Sequence, residues 1–286
     1  MLLIVGSIPS TNLDAIMGKV VEEGNFLVID SNRVPSMQGT TVMISAAMAV
    51  TRHFGLEGPH AIVAGDPGDG KGTRAMYDIL IQRVAELSPK VITLHYCLPI
   101  MGLIRRFVQA IEKCATRPFL IADAGALYAA KAAGLAKEFD IFTPDPSEIA
   151  FLADAKASHP AYVSEHLLSA DSTKVPQMVA DAYQHGDAPK LLLVKGKTDY
   201  VGKDGKIVAT INEPDIPTLE PIGGTGDTIT GLVSGLVYAG LEPVKAAVIA
   251  FKTNRIAGQL ANPTPATKAR QLIDYFDKAL EIAMKG

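Results

Sequence analysis

Residues 222–231 read Ile222-Gly223-Gly224-Thr225-Gly226-Asp227-Thr228-Ile229-Thr230-Gly231, and an apolar helical run from Leu232 to Tyr238 follows. A glycine-rich turn opening a helix leaves backbone N–H groups unpaired, and the helix dipole adds partial positive charge. Gly223, Gly224, Thr225 and Gly226 therefore form a turn suited to a phosphate or another oxyanion. Asp227 is the discordant member, because a carboxylate repels phosphate unless it has a second task. Taking the proton from a hydroxyl that attacks the phosphate is such a task, and a base beside an anion hole is an arrangement for phosphoryl transfer. The plainer alternative is that Asp227 caps the helix and the glycines only turn the chain.

A second glycine-rich stretch competes for the same chemistry. Ala61-Ile62-Val63-Ala64 is strand-like, then come Gly65-Asp66-Pro67-Gly68-Asp69-Gly70-Lys71-Gly72-Thr73 and a helical run. The stretch resembles the P-loop of adenylate kinases at every defined position. Two features oppose that reading. Asp66 and Asp69 would put carboxylates inside a nest of N–H groups that must wrap phosphate, and no arginine-rich lid follows downstream. Elsewhere, Lys195 follows the apolar run 191–194, where an ammonium could meet phosphate or simply be solvated. Asp123 ends a strand-like run and reads equally as ligand contact or helix cap. Glu148 opens a predicted helix, where its charge suits the dipole whatever else it does. His53, His60, His95, His159, His166 and His185 show no zinc-ligand spacing and read mostly as structural or exposed.

The elements that must position these groups follow an alternating pattern. Short apolar runs predict strands near 2–6, 26–30, 60–65, 90–96, 118–123, 138–143, 190–195 and 206–211. Helical periodicity predicts helices over 40–53, 72–87, 99–114, 125–136, 146–153, 174–185, 225–239, 242–262 and 266–284. This is the rhythm of a mostly parallel sheet between two helical layers, an α/β/α fold. The strand at 206–211 pairs with 198–202 across Lys203-Asp204-Gly205, a late β-hairpin. No Gly-, Ser- or Pro-rich linker divides the chain, so residues 1–286 are expected to form one domain. The stretch 155–173 is long, polar and irregular and reads as a surface excursion beside a site.

Composition bounds the partners. The 286 residues are 48% apolar and 20% charged, with a formal net charge of −3 spread along the chain. That balance supplies neither a basic stripe for nucleic acid nor a polybasic membrane segment. No apolar run approaches the roughly 20 residues that span a bilayer. Two cysteines without ligand spacing fit a reducing compartment, so the expectation is a cytoplasmic protein acting on a small molecule.

Four segments, in order, carry a family resemblance: Ile121-Ala122-Asp123-Ala124-Gly125-Ala126-Leu127, Thr143-Pro144-Asp145-Pro146-Ser147-Glu148, Val194-Lys195-Gly196 and Gly223-Gly224-Thr225-Gly226-Asp227. Together they resemble the ribokinase superfamily and, within it, the ADP- or ATP-dependent NAD(P)H-hydrate dehydratases. Upstream, only Val5-Gly6-Ser7 and the helix starting near Gly39-Thr40-Thr41 follow that pattern, and loosely.

The resemblance implies a three-layer ribokinase-like fold, ATP or ADP as phosphoryl donor, and Mg2+. Asp227 becomes the catalytic base, Lys195 and Gly196 join Gly223–Gly226 as nucleotide and phosphate contacts, Asp123, Asp145 and Asp227 face the substrate, and Glu148 organises magnesium through water. It also allows a homo-oligomer, for which the residues indicate no interface. Asp145 and Ser147 stand where the dehydratases carry His and Gly, and Asp145-Pro146-Ser147-Glu148 is similar to the Asn-x-x-Glu of the superfamily's sugar and vitamin kinases. A small-molecule kinase is therefore the alternative expectation, and a nucleotide-binding module without catalysis a third.

Overall fold

The computed structural model describes residues 1–159, 161, 163 and 172–285. Its strands are β1 (Leu2–Ile8), β2 (Ile16–Glu23), β3 (Phe26–Ile29), β4 (Asn32–Pro35), β5 (His60–Gly65), β6 (Val91–His95), β7 (Phe119–Ala122), β8 (Ile141–Phe142), β9 (Leu191–Val194), β10 (Asp199–Lys203) and β11 (Lys206–Ile211). They join in the order β11-β10-β9-β8-β7-β6-β1-β5-β2-β3-β4. From β5 through β1 to β9 neighbouring strands run parallel, and both ends of the sheet are antiparallel.

The parallel strands are apolar on both faces because helices cover both. Leu2 and Ile4 of β1 point into one core and Leu3 and Val5 into the other, the period-two alternation of a pleated strand. The first core packs α1 (Thr40–His53), α7 (Thr225–Tyr238), α8 (Pro243–Ala261), α9 (Ala269–Ile273) and α10 (Phe276–Lys285). The second packs α2 (Lys71–Leu87), α3 (Met101–Ile111), α4 (Gly125–Ala132), α5 (Pro146–Ala153) and α6 (Val175–His185). Phe107 on α3 is fully buried there, and truncating such a side chain to Ala costs about 3–5 kcal/mol.

The α/β/α layering, the late hairpin and most boundaries agree with the sequence pattern. Asp204 and Gly205 turn the β10–β11 hairpin with φ of 52° and 76°, the left-handed pair a two-residue turn requires. The differences lie where packing overrides pattern. The expected 266–284 helix is two helices, broken between Ile273 and Phe276, and the 125–136 helix ends at Ala132 because Gly134 turns left-handed. The expected 138–143 strand shrinks to Ile141–Phe142, with a 3-10 turn over Ala136–Glu138 in front of it. Strands β2 and β4 fall outside the expected set. The 155–173 excursion lies largely outside the described residues, as does His166.

Parallel pairing has one consequence for the site. Ser7 on β1, His95 closing β6, Asp123 following β7, Thr143 following β8 and Lys195 following β9 all lie at one edge of the sheet, its carboxyl-terminal edge. Ligand crevices of open α/β sheets form at that edge.

Candidate functional site

A cleft of about 550 Å³ opens over this edge, and its wall includes Asp123, Asp145, Glu148, Lys195, Gly196, Gly224, Thr225, Gly226 and Asp227. Of the residues that the resemblance assigns to the site, all but Gly223 line it. Gly223 is an exposed residue whose neighbour is the side chain of Gln38, so the turn presented to the cleft begins one residue later than expected. Gly224 is the N-cap of α7 with φ of 100°, a conformation natural to glycine, and no side chain caps the helix. The Thr225 N–H turns back to the Ile222 carbonyl at 3.4 Å, and among the described residues no acceptor meets the N–H groups of Gly226 and Asp227, whose residues line the cleft.

Asp227 does not fold back onto its own helix. Its Oδ2 accepts the Gly39 N–H at 2.9 Å and its Oδ1 lies 3.0 Å from His95 Nε2, with 12% of the side chain still exposed. Burial disfavours its charge, but His95, Lys195 and the Gly39 N–H together outweigh that and hold the carboxyl below its ordinary value. His95 was expected to be structural or exposed. It is wholly buried, and it contacts the Asp227 carboxylate on the cleft wall. Its other nitrogen, Nδ1, lies 3.0 Å from Thr40 Oγ1, and that hydroxyl donates to the Ser7 carbonyl at 2.8 Å.

Beside this pair, Lys195 Nζ donates to both oxygens of Asp123, at 2.8 and 2.9 Å. The Ala124 N–H and the Thr230 hydroxyl complete the Asp123 carboxylate at 2.9 and 2.6 Å. Burial works against the Lys195 charge, but Asp123, Glu148 and Asp227 reverse it and hold the ammonium above its ordinary value. A Cβ built on Gly226 would lie 3.6 Å from Lys195 Nζ, so the ammonium sits directly under the amide turn. The ligand-capable atoms of His95, Asp123 and Asp227 lie within 4.8 Å of one another, but Lys195 already supplies the positive charge in that cluster.

Also on the cleft wall, Asp145 caps α5. Its Oδ1 accepts from the Ser147 and Glu148 N–H groups, both at 2.8 Å, while Glu148 Oε2 accepts the Asp145 N–H at 2.8 Å. This is a complete capping box. It does not remove Glu148 from the cleft. Burial and the negative charge of Asp123 push the Glu148 carboxyl up to about 8, against the opposing pull of Lys195.

Arg255 on α8 was missed from sequence. Its guanidinium donates to Asp199 Oδ2 at 2.7 Å and to the carbonyls of Gly196, Lys197, Asn212 and Pro214 at 3.1, 2.8, 3.2 and 3.4 Å. It ties the loop after β9 to the segment leading towards α7, both of which border the cleft. Gly196 therefore contributes through its backbone, with its N–H bonded to Asp199 Oδ1 at 2.9 Å. An arginine in mid-helix carries no local signal that would have separated it from a solvated surface charge.

The rival loop at 65–73 lies away from the cleft wall, and its nest is full. Asp66 Oδ1 accepts the N–H groups of Gly68 and Gly70, both at 3.0 Å. Asp66 Oδ2 accepts the N–H and hydroxyl of Thr73 at 2.8 and 2.7 Å. The protein's own carboxylate occupies the place a phosphate would take. Burial raises the Asp66 pKa, and the hydrogen bonds from Thr73, Gly68 and Gly70 more than reverse it.

Comparison with known proteins converges on one family. The family model described as NAD(P)H-hydrate dehydratase matches residues 98–278. An uncharacterized protein of Methanocaldococcus jannaschii is 39% identical over 243 residues, 85% of this chain and 100% of that protein. An ADP-dependent (S)-NAD(P)H-hydrate dehydratase of Nitrosopumilus maritimus is 35% identical over 69 residues, which are 24% of this chain and 23% of that enzyme. A mutant of phosphofructokinase-2 from Escherichia coli superposes with a TM-score of 0.59 at 14% identity, covering 98% of this chain and 99% of that one. The architecture is the ribokinase-like one.

Proposed function

The chain belongs to the NAD(P)H-hydrate dehydratase family, and from that premise we propose that it repairs hydrated NADH or NADPH in a reaction driven by ATP or ADP. The hydroxyl on the hydrated ring is a poor leaving group. Transferring a phosphoryl group to its oxygen turns it into a good one. The ring nitrogen lone pair then expels phosphate, and loss of a neighbouring ring proton restores the dihydropyridine.

The observation that carries this reading is the Asp227 carboxylate beside the uncapped N-terminus of α7. Asp227 takes the hydroxyl proton as that oxygen attacks phosphorus. The Gly226 N–H at the start of α7 and the Lys195 ammonium close to it meet the negative charge on the transferring group. Asp123 holds Lys195 in place, and Asp145 borders the acceptor.

Magnesium would screen charge between the nucleotide phosphates when bound. The residues on the cleft wall suit it: Glu148 is a buried carboxyl whose raised pKa an arriving cation would reverse, and among the described residues no hydrogen bond reaches Asp145 Oδ2. Glu148 is the residue that would hold it, through water.

The test incubates the protein with hydrated NADH, magnesium and either ATP or ADP while following absorbance and phosphate together. Recovery of NADH absorbance in step with phosphate release is the expected outcome, and the preferred nucleotide identifies the donor. The second reading is a small-molecule kinase, favoured by the phosphofructokinase-like fold and by Asp145 in the turn before α5. A stable phosphorylated acceptor with no phosphate release would establish it instead.

A further inference from the structure

The hydrogen bonds around His95 fix its proton count. A carbonyl oxygen only accepts, so the single hydrogen of Thr40 Oγ1 is committed to the Ser7 carbonyl at 2.8 Å. His95 Nδ1, 3.0 Å from that same oxygen, must then be the donor. A neutral imidazole has only one hydrogen, and it is spent there. Nε2 would face Asp227 Oδ1 at 3.0 Å lone pair to lone pair, so this contact needs one more proton, on the ring or on the carboxyl.

The surroundings decide which. Asp227 also accepts the Gly39 N–H, which stabilises the anion, and Lys195 lies nearby. Asp123 Oδ2 stands 4.0 Å from the same Nε2 and favours a positive ring. The charged and titratable groups facing the imidazole are thus Asp227 from α7, Asp123 from the end of β7 and Tyr96, whose ring centroid is 3.9 Å away, with Lys195 and Glu148 completing the cluster behind Asp123.

We propose that His95 is the positioning residue of the Asp227 carboxylate: an imidazolium, locked by Thr40 and Ser7, that keeps Asp227 ionised and turned towards the cleft. This rests on the reading of Asp227 as base and extends it to a residue outside the family match. The acceptor O–H bond breaks, the proton passes to an Asp227 oxygen, and the acceptor oxygen forms its bond to phosphorus as the nucleotide leaves. His95 keeps both its protons throughout and holds the carboxyl still, the part a triad's third member plays with charges reversed.

Two measurements test it. The first needs no substrate: nitrogen-resolved NMR of the His95 ring in the wild-type protein and in Asp227→Asn. Both ring nitrogens are expected to carry a proton at pH 7 in the wild type, and only one of them in the variant. A wild-type ring that is neutral at pH 7 overturns the proposal, whatever the enzyme's substrate proves to be.

The second is the pH–rate profile of His95→Gln, which keeps a side-chain N–H but removes the charge. An acid limb raised by about one pH unit, with kcat down about 10–100-fold and nucleotide affinity unchanged, is expected. An unmoved acid limb, with or without a fall in Tm, reduces His95 to a packing residue and overturns the assignment. Loss of all turnover by the wild type on hydrated NADH would instead count against the dehydratase reading and leave the NMR result standing.

Discussion

The molecule contains two glycine-rich turns that each open a helix at the end of a loop, and they have opposite fates. In the 65–73 loop Asp66 lies ahead of the helix and bends back into the amide nest of α2, satisfying it with four hydrogen bonds. In the 223–227 turn the carboxylate comes three residues into α7 and points away from its own amides, drawn off by Gly39 and His95. Glycines and a helix dipole make an anion site in both places. Where the nearest carboxylate sits along the chain decides whether those N–H groups are already satisfied, as by Asp66 in the first turn, or not, as at Gly226 in the second.

The largest expected break in this contrast is at Asp227. Asp227→Asn keeps the volume but removes the base, so turnover with hydrated NADH and nucleotide should fall about 10³-fold in a phosphate-release assay. Retention of most activity would mean that the open turn is not where the reaction occurs. At the filled turn the loss should be of stability instead. Asp66→Ala leaves three N–H groups and a hydroxyl without their acceptor, costing on the order of 3 kcal/mol by urea unfolding while kcat per folded molecule is kept.

The sign of the pH dependence follows from the depressed Asp66 pKa. Its contribution is fully present above the ordinary aspartate value of about 3.9 and disappears as pH falls through the lower folded value. Asp66→Asn should therefore be less stable than wild type at pH 7, and the gap should close in acid. A constant gap down to the acid transition would show that the carboxylate charge is immaterial.

Gly226→Ala should leave Tm nearly unchanged, because its Cβ meets nothing closer than the Lys195 side chain at 3.6 Å, yet weaken nucleotide binding about tenfold by intruding between amides and ammonium. The smallest effect belongs to Lys71, where a true P-loop would show its largest. Its side chain is 88% exposed and reaches only Asp69, so Lys71→Ala should change nucleotide affinity by less than about twofold in calorimetry.

The turn at Gly224–Asp227, the helix opening at Glu148 and the unsuitability of the 65–73 loop were legible because each depends on residues within a few positions of one another. The parallel strands were legible for the same reason, since burial on both faces writes a continuous apolar run. His95 was not, because its partners lie 55 and 132 residues away and a lone histidine closing an apolar strand has no spacing to read. Arg255 was hidden likewise by carbonyls up to 59 residues distant. Strand β2 alternates burial weakly and contains Gly18 and Lys19, so its pattern fell below what periodicity resolves.

Gly39, Thr40, Ser7 and His95 all precede residue 98, where the family match begins. The stretch of chain ahead of that match thus supplies the grip on the acid at the heart of the most recognisable motif. A chimera that exchanged residues 1–97 for those of a related protein would inherit an intact Gly-Gly-Thr-Gly-Asp signature but whatever partners that protein brings to the place of Gly39 and His95. Two proteins sharing that signature letter for letter need not share an acidity optimum.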